Sequence, residues 1–177
     1  RIGTVILIDP ITTEDSYYNT GTEVSLRYLG GLISDGSTLF ISDASNHIIR
    51  KIDLQTSNIT TLAGKLENYA DGTGENGEFR YPEKMVQIGT DLYVVDDQRI
   101  RKVDKTTGAV STLVTSGASY NYIQRITSDG TDIYFVAYVS DGNNSGYKIF
   151  KLSTDTGEVS ELELLDENGD SYSIGSS

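Results

Sequence analysis

The four residues Arg50-Lys-Ile-Asp53 return as Arg101-Lys-Val-Asp104 and, in a weaker form, as Phe150-Lys-Leu-Ser153. Other residues recur at fixed distances from each copy. A β-branched residue stands eight positions after each lysine and a leucine eleven positions after it, and each copy is preceded by a glycine with an aromatic residue four positions later. The copies begin at residues 50, 101 and 150, which is a period of about fifty residues. Recurrence at such a period indicates a repeat protein in which each repeat is one structural unit.

Each repeat holds four short segments that are rich in β-branched and aromatic residues, which is the composition of β-strands. The last two segments of each repeat are joined by Ser57-Asn58, Thr107-Gly108 or Thr156-Gly157, which suit the positive φ of a tight hairpin turn. No segment shows a sustained apolar period of 3.6 residues, so we expect almost no helix.

Four antiparallel strands per repeat predict the blades of a β-propeller, and hence an all-β fold. An immunoglobulin-like sandwich fits less well because its strands do not repeat as four-stranded modules. A parallel β-helix is disfavoured by the hairpin turns. We expect a single, partial propeller domain over residues 1–177 that belongs to a larger propeller. Its predicted parts are an outer strand of a preceding blade at 1–9, blades at about 26–62, 84–115 and 122–165, and a further strand or tail at 166–177.

The run from Leu39 to Asp53, LFISDASNHIIRKID, resembles the core of NHL-repeat propellers. In that family an aromatic-rich strand ends in an aspartate, an Asn-His pair turns the chain, and Ile-Arg-Lys-Ile-Asp forms the next strand. Residues 70–82 are similar to the family's long link between blades, whereas the third repeat lacks the Asn-His pair. The resemblance implies a scaffold: members bind proteins, sugars or nucleic acid on their open faces, and some are enzymes. Fold alone does not choose among these functions.

Composition excludes several kinds of site and partner. The chain has no cysteine and a single histidine, so it can form neither a disulfide nor a metal site with several histidines. A formal net charge of −12 repels nucleic acid and anionic lipid, and the longest apolar runs are far too short to span a membrane. We therefore expect a protein or glycan partner. The absence of cysteine and the start at Arg1 favour a processed chain that is extracellular or displayed at a cell surface.

The recurring polar residues are interpreted as structural. His47 is expected in the inner hairpin, bonded to neighbouring backbone or to an acid such as Asp43. The basic residues of the repeat are expected to brace neighbouring blades through nearby aspartates. These residues are Arg50, Lys51, Arg101 and Lys102, with Asp43, Asp53, Asp96 and Asp104 as their acidic partners.

Two loops resemble ligand sites, but their sequences favour structural roles. The glycine-rich stretch 71–77 fits neither nucleotide-binding motif and is expected to be a shaped link between blades. Residues 166–170 place oxygen ligands at alternate positions, as a calcium loop does, yet Ser171 and Ser177 stand where an EF-hand needs glycine and glutamate. Because Asn168-Gly169 lies between two apolar segments, we expect a hairpin there. No cofactor is expected, and bound calcium stays an alternative.

The candidate binding residues are tyrosines and a loop asparagine in segments that connect the strands, because exposed tyrosine is enriched at interfaces. They are Tyr17, Tyr18, Tyr120, Tyr122 and Asn143. The resulting prediction is a non-catalytic scaffold that presents loops to a protein or glycan. One alternative is a propeller lyase or hydrolase with calcium and the strand-end carboxylates Asp43, Asp96 and Asp97. Another is an assembly protein that self-associates through its open blade edges.

Overall fold

The computed structural model describes residues 26–115, 120–140 and 145–172, and the outer strand predicted at residues 1–9 lies outside these ranges. Within them the regular structure is β-strand, apart from two short 3-10 turns at Ala44–Asn46 and Gly74–Asn76. The strands form three antiparallel sheets of four consecutive strands each, and one sheet gains a fifth strand at its outer edge. The predicted four-stranded repeat is therefore present.

The first sheet, blade 1, consists of β1 (Leu29–Ser34), β2 (Thr38–Asp43), β3 (Ile48–Asp53) and β4 (Ile59–Ala63). Blade 2 consists of β6 (Pro82–Ile88), β7 (Asp91–Asp96), β8 (Arg99–Asp104) and β9 (Ala109–Val114), with the short strand β5 (Gly72–Thr73) paired to β9. Blade 3 consists of β10 (Tyr122–Ser128), β11 (Ile133–Val139), β12 (Gly146–Leu152) and β13 (Val159–Glu161). The first strands β1, β6 and β10 are the inner strands, and β1 and β10 each contact β6.

The fourth strand of blade 3 is shorter than the sequence suggests. We expected it to continue to residue 165, but β13 ends at Glu161. A separate pair, β14 (Leu164–Leu165) and β15 (Ser171–Tyr172), forms the hairpin predicted around Asn168-Gly169. The Asp166 side chain accepts hydrogen bonds from the backbone amides of Asn168 and Asp170 in the turn of this hairpin.

Aspartate side chains and left-handed backbone shape the turns between strands. Asp35 accepts hydrogen bonds from the amides of the two residues that enter β2, and Asp129 makes the same contacts in blade 3. The predicted positive φ angles of the outer hairpins are found at Ser57 (61°), Gly108 (72°) and Gly157 (74°). Local sequence thus sets where each strand turns back.

The core lies between the blades. One buried cluster joins blades 1 and 2, and a second joins blades 2 and 3. Because blade 2 lies between the others, both faces of β7 are buried, whereas in β11 burial alternates with half-burial along the strand. The fully buried members are Ile49, Ala63, Phe79, Leu92, Val94 and Val103 in the first cluster and Val95, Ile100, Ile123, Ile133, Ala137 and Leu152 in the second.

The link from blade 1 to blade 2 is held by the buried side chain of Arg101. Its guanidinium donates to the carboxylate of Asp96 at 3.0 Å and to Asp71 at 3.0 Å. It also donates to the backbone carbonyls of Ala70 and Glu78, both at 2.9 Å. Asp71 in turn accepts from the backbone amide and hydroxyl of Thr112 in β9. One cation therefore ties the middle and the later part of the link to blade 2.

An ion pair also joins blades 1 and 2 at the opposite end of the strands. The Lys105 ammonium lies 3.0 Å from the Asp35 carboxylate. The hydrogen bond from Lys105, followed by those from the amides of Thr38 and Ser37, holds the pKa of Asp35 well below its usual range. The ionised carboxylate therefore favours the folded state.

Replacing Arg101 by methionine is expected to lower the free energy of unfolding by about 3–5 kcal/mol, because the Asp96 carboxylate would be left buried without its cation. Two link carbonyls would lose their donor as well. Urea denaturation measures the change. The exposed Arg125, changed to methionine, is the matched control and should shift the midpoint of urea denaturation little. Equal losses of stability in the two variants would contradict the role of Arg101 in holding the link.

Asp35→Asn is expected to lower the free energy of unfolding at pH 7 by about 0.5–1 kcal/mol, as for an exposed ion pair. Since the folded-state pKa is lowered, this contribution is present above the unfolded pKa of about 3.9 and is lost as the pH falls through the folded value. The difference between wild type and variant should shrink below about pH 4. Denaturation at several pH values tests this, with the exposed Asp155→Asn as control; a gap that widens in acid would refute it.

Candidate binding site

Three tyrosines occupy the same position at the start of the inner strands. Tyr28 immediately precedes β1, Tyr81 immediately precedes β6, and Tyr122 is the first residue of β10. Their exposed fractions are 61%, 38% and 45%, so none of the three is a core residue. We call Tyr28, Tyr81 and Tyr122 the tyrosine row.

The backbone anchors the row. The carbonyl of Tyr28 accepts a hydrogen bond from the amide of Ala44, and the carbonyl of Tyr81 accepts from Asp97. Tyr28 has a φ of +44°, in the left-handed region that a bulky residue rarely adopts. Its ring lies 5.7 Å from the ring of Tyr81 between centroids, so two blades contribute to one aromatic surface. Unusual backbone of this kind is concentrated at functional sites.

A β-bulge follows each tyrosine of the row. The pairing register shifts between Leu29 and Leu32 in blade 1, between Pro82 and Met85 in blade 2, and between Ile123 and Arg125 in blade 3. Bulges redirect side chains and are common next to functional sites. The residues inside these bulges are Gly30 and Gly31, Glu83 and Lys84, and Gln124.

The bulges of blades 1 and 2 pack directly on each other. A Cβ added to Gly30 would lie 2.5 Å from the Cα of Glu83, so only glycine allows this approach. The buried Ser42 hydroxyl accepts a hydrogen bond from the amide of Gly31 at 2.5 Å and donates to the carbonyl of Glu83. This contact fixes Tyr28 relative to Tyr81, because each tyrosine stands within three residues of it.

The charges between the tyrosines neutralise each other. The Lys84 ammonium lies 2.5 Å from the Glu83 carboxylate and 5.2 Å from the centroid of the Tyr122 ring. Partial burial raises the pKa of Tyr81, and the neighbouring Tyr28 and Glu83 act in the same direction. The Tyr81 phenol is therefore neutral at physiological pH and can donate a hydrogen bond.

A second polar cluster lies beside Tyr81 at the same end of the blades. The Tyr69 hydroxyl donates to Asp97 at 2.7 Å, and the guanidinium carbon of Arg99 lies 3.5 Å from the Tyr69 ring centroid. Arg80 pairs with Glu67 at 3.4 Å and with Asp97 at 3.5 Å. Both acids thus lie against Arg80, and this rim does not form a basic patch.

The recurring polar residues are placed differently from the expectation. Arg50 pairs with Asp43 and Arg101 with Asp96, each within its own blade, and Lys102 pairs with Asp91 of blade 2. These three pairs lie within single blades and do not themselves connect neighbouring blades, although Arg101 also binds the link that arrives from blade 1. Asp53 and Asp104 accept hydrogen bonds from backbone amides of the outer hairpins. Lys51 lies opposite Thr60 in the β3–β4 pair. The His47 Nδ1 atom lies 2.6 Å from the backbone carbonyl of Arg80.

The predicted binding residues have three outcomes. Tyr17, Tyr18 and Asn143 lie outside the described residues. Tyr120 is buried, with its ring 5.2 Å from Phe135, so it cannot serve as the exposed binding residue we expected; the apolar surroundings raise its pKa to about 12. Tyr122 begins a strand instead of standing in a connecting segment, and it belongs to the tyrosine row.

The carboxylates of the enzyme alternative already have partners. Asp43 is fully buried and accepts hydrogen bonds from the Arg27 amide and the Asn46 side chain. Asp96 is also fully buried and accepts from the amides of Arg80 and Tyr81, besides Arg101. Asp97 accepts the Tyr69 hydroxyl. In the part of the chain that the structure describes, no three histidine, aspartate or glutamate side chains converge to hold a metal ion.

Sequence reasoning missed Tyr28 and Tyr81, although a signal was present. Each tyrosine of the row stands eight residues before the repeat glycine, at Gly36, Gly89 and Gly130. The recurrence of an aromatic residue at this offset marks the position as part of the repeat. Only the structure shows that the position is exposed.

Comparison with known proteins supports the fold. No family model matches the chain, and no curated protein matches it. It is similar in structure to a luciferin-regenerating enzyme, with a TM-score of 0.51, 11% identity and coverage of 75% of this chain and 44% of the other. It is also similar to regucalcin, a calcium-binding protein from Agrobacterium tumefaciens, with a TM-score of 0.51, 12% identity and coverage of 77% and 43%.

A third similar structure is the extracellular domain of a protein described as a hybrid two-component system from B. thetaiotaomicron. Its TM-score is 0.53 at 13% identity, and the match covers 87% of this chain and 20% of the other. The chain spans less than half the length of each of these three proteins. The first two are six-bladed propellers, and together with the three antiparallel sheets they establish a β-propeller fold. Within the described ranges, no helix has the length and apolar character needed to cross a membrane.

Gly30→Ala is expected to destabilise the fold by about 1–3 kcal/mol, because the new methyl group would overlap the backbone of Glu83. The change should also move Tyr28 away from Tyr81. Thermal unfolding measures the stability. Gln124→Ala, in the bulge of blade 3, serves as control and should have a small effect; a Gly30→Ala protein as stable as the control would exclude close packing of the bulges.

Proposed function

We propose that this chain is a non-catalytic propeller module of the NHL type that binds a protein or a glycan through the tyrosine row. The observation that carries this proposal is the recurrence of an exposed tyrosine at one equivalent position in all three blades. Single exposed aromatics are common on protein surfaces and need no explanation. A position that repeats in every blade and stays exposed is different, because core packing does not require it.

The chemistry of tyrosine suits a binding surface. Its ring offers a large contact area with few rotatable bonds, and its hydroxyl adds a hydrogen bond at the tip. The bulges of blades 2 and 3 place polar side chains beside the rings, while the packed sheets hold the rings on a rigid support. Such a surface binds without prior ordering of a loop, which reduces the entropic cost of association.

The contacts of the strand-end carboxylates support a non-catalytic role. Asp43 and Asp96 are buried and hydrogen-bonded to backbone amides, so they act as structural acceptors in this fold. The names of two similar structures denote an enzyme and a calcium-binding protein, but at 11% and 12% identity they bear on the fold alone. We place the module outside the cell or at its surface, in keeping with its acidic, cysteine-free composition.

The test compares wild type with the triple variant Tyr28→Ala/Tyr81→Ala/Tyr122→Ala on printed arrays of defined oligosaccharides and of defined peptides. We expect wild-type binding on at least one array and a loss of about a hundredfold or more in the variant, since each of the three removed rings costs about 1 kcal/mol or more. Tyr134→Ala is the matched control, because Tyr134 is a partly exposed tyrosine whose hydroxyl donates to Asp129 at the opposite end of blade 3.

Binding that survives in the triple variant would contradict the proposal, as would the absence of binding on both arrays. Calcium-dependent turnover of a lactone or ester probe that is lost in Asp97→Asn would instead favour the enzyme alternative. Circular dichroism of the triple variant should match the wild type, because the three side chains are exposed.

A further inference from the structure

We infer that the ligand of the tyrosine row is an extended, neutral glycan chain. This inference rests on the proposed function and names the class of ligand for the same site. Its basis is the combination of a repeated aromatic platform with polar, self-neutralised side chains between the platforms.

The first step concerns the repetition of the site. The same residue type stands at the same structural position on three neighbouring blades, each time beside a one-residue bulge. A surface that offers one platform per blade matches a ligand that presents similar units one after another. A polysaccharide has this property, because its sugar rings repeat along the chain. A folded protein surface does not.

The second step concerns the chemistry of each platform. A tyrosine ring has an apolar face and a polar tip. A pyranose ring has the complementary arrangement, with a face of C–H groups and a rim of hydroxyl groups. The side chains of Glu83, Lys84 and Gln124 stand in the bulges and supply acceptors and donors for such a rim. Stacking and hydrogen bonding can thus act on the same sugar unit.

The third step concerns charge. Lys84 lies against Glu83, and Arg80 lies against Glu67 and Asp97, so each of these cations has an acid within 3.5 Å. The chain as a whole carries a net charge of −12. The negative net charge of the chain disfavours sulfated or carboxylated glycans, and Lys84 and Arg80 already have acidic partners. A neutral glycan is not repelled by the negative net charge and does not need an unpaired cation.

The surroundings of Tyr28 define the competing class of partner. Leu29 and Leu32 on β1 are 44% and 66% exposed, so this end of the row is apolar. An apolar peptide could anchor there. It would depend on Tyr28 and the leucines and would be indifferent to Tyr122, which stands on blade 3 beside Lys84. The contribution of Tyr122 therefore discriminates between the two classes.

The experiment is affinity gel electrophoresis of the full chain in gels that contain a soluble neutral polysaccharide, hydroxyethyl cellulose or galactomannan, or a polyanion, alginate or polygalacturonate. We expect retardation in at least one neutral gel and normal migration in both polyanion gels. Each single Tyr→Ala change in the row should weaken binding about tenfold. The triple Tyr→Phe variant, which keeps the rings, should retain most of the binding, and Tyr134→Ala, at the opposite end of blade 3, should behave as wild type.

Salt gives a second readout. Binding of a neutral chain by stacking and hydrogen bonds should change little between low and high ionic strength, since it involves no pairing of opposite net charges. Retardation confined to the polyanion gels, or lost in salt, would overturn the inference. So would the absence of retardation in every gel; if the peptide array then shows binding that depends on the row, the proposed function stands and only the ligand class is wrong. If neither array shows binding that depends on the row, the proposed function and the inference about its ligand are both wrong.

Discussion

The buried guanidinium of Arg101 is the interaction on which the arrangement of blades 1 and 2 depends. It satisfies a carboxylate of its own blade and three acceptors of the link that arrives from blade 1. A buried arginine is costly to desolvate, and the four hydrogen bonds of its Nη1 and Nη2 atoms offset this cost, whereas its Nε atom has no hydrogen-bond partner among the described residues. Because Asp96 uses its other oxygen for the amides of Arg80 and Tyr81, the same pair also sets where β6 begins.

That constraint leads directly to the candidate site. Tyr81 is held through its own amide by Asp96, and the ring of Tyr28 lies beside it because Gly30 lets the inner strands approach. Hydrogen bonds to the backbone hold Tyr28 and Tyr81 in place, while their rings are exposed to solvent. A rigid platform of this kind needs no conformational change to bind a ligand.

Much of the fold could be predicted from the sequence because it is determined by local patterns that repeat. The aspartate of the first turn and the left-handed residue of the outer hairpin recur in recognisable form, and each acts on backbone within a few residues of itself. Asp43 and Asp96 were among the acids predicted to pair with Arg50 and Arg101, whereas the contacts of Arg101 with the link were not predicted. Those contacts depend on the path of the link, which a strand pattern does not show.

The candidate site shows the same division. The sequence shows the tyrosine at a constant offset from the repeat glycine, but it does not show which tyrosines are exposed. Tyr120 and Tyr122 are two residues apart, yet Tyr120 is buried against Phe135 and Tyr122 is exposed. Sequence alone determined the repeat, the four-stranded unit and its turns, because these follow from contacts between residues close in the chain. Only the tertiary structure decided which tyrosines face solvent and that three of them form a row, because that depends on how separate blades pack face to face.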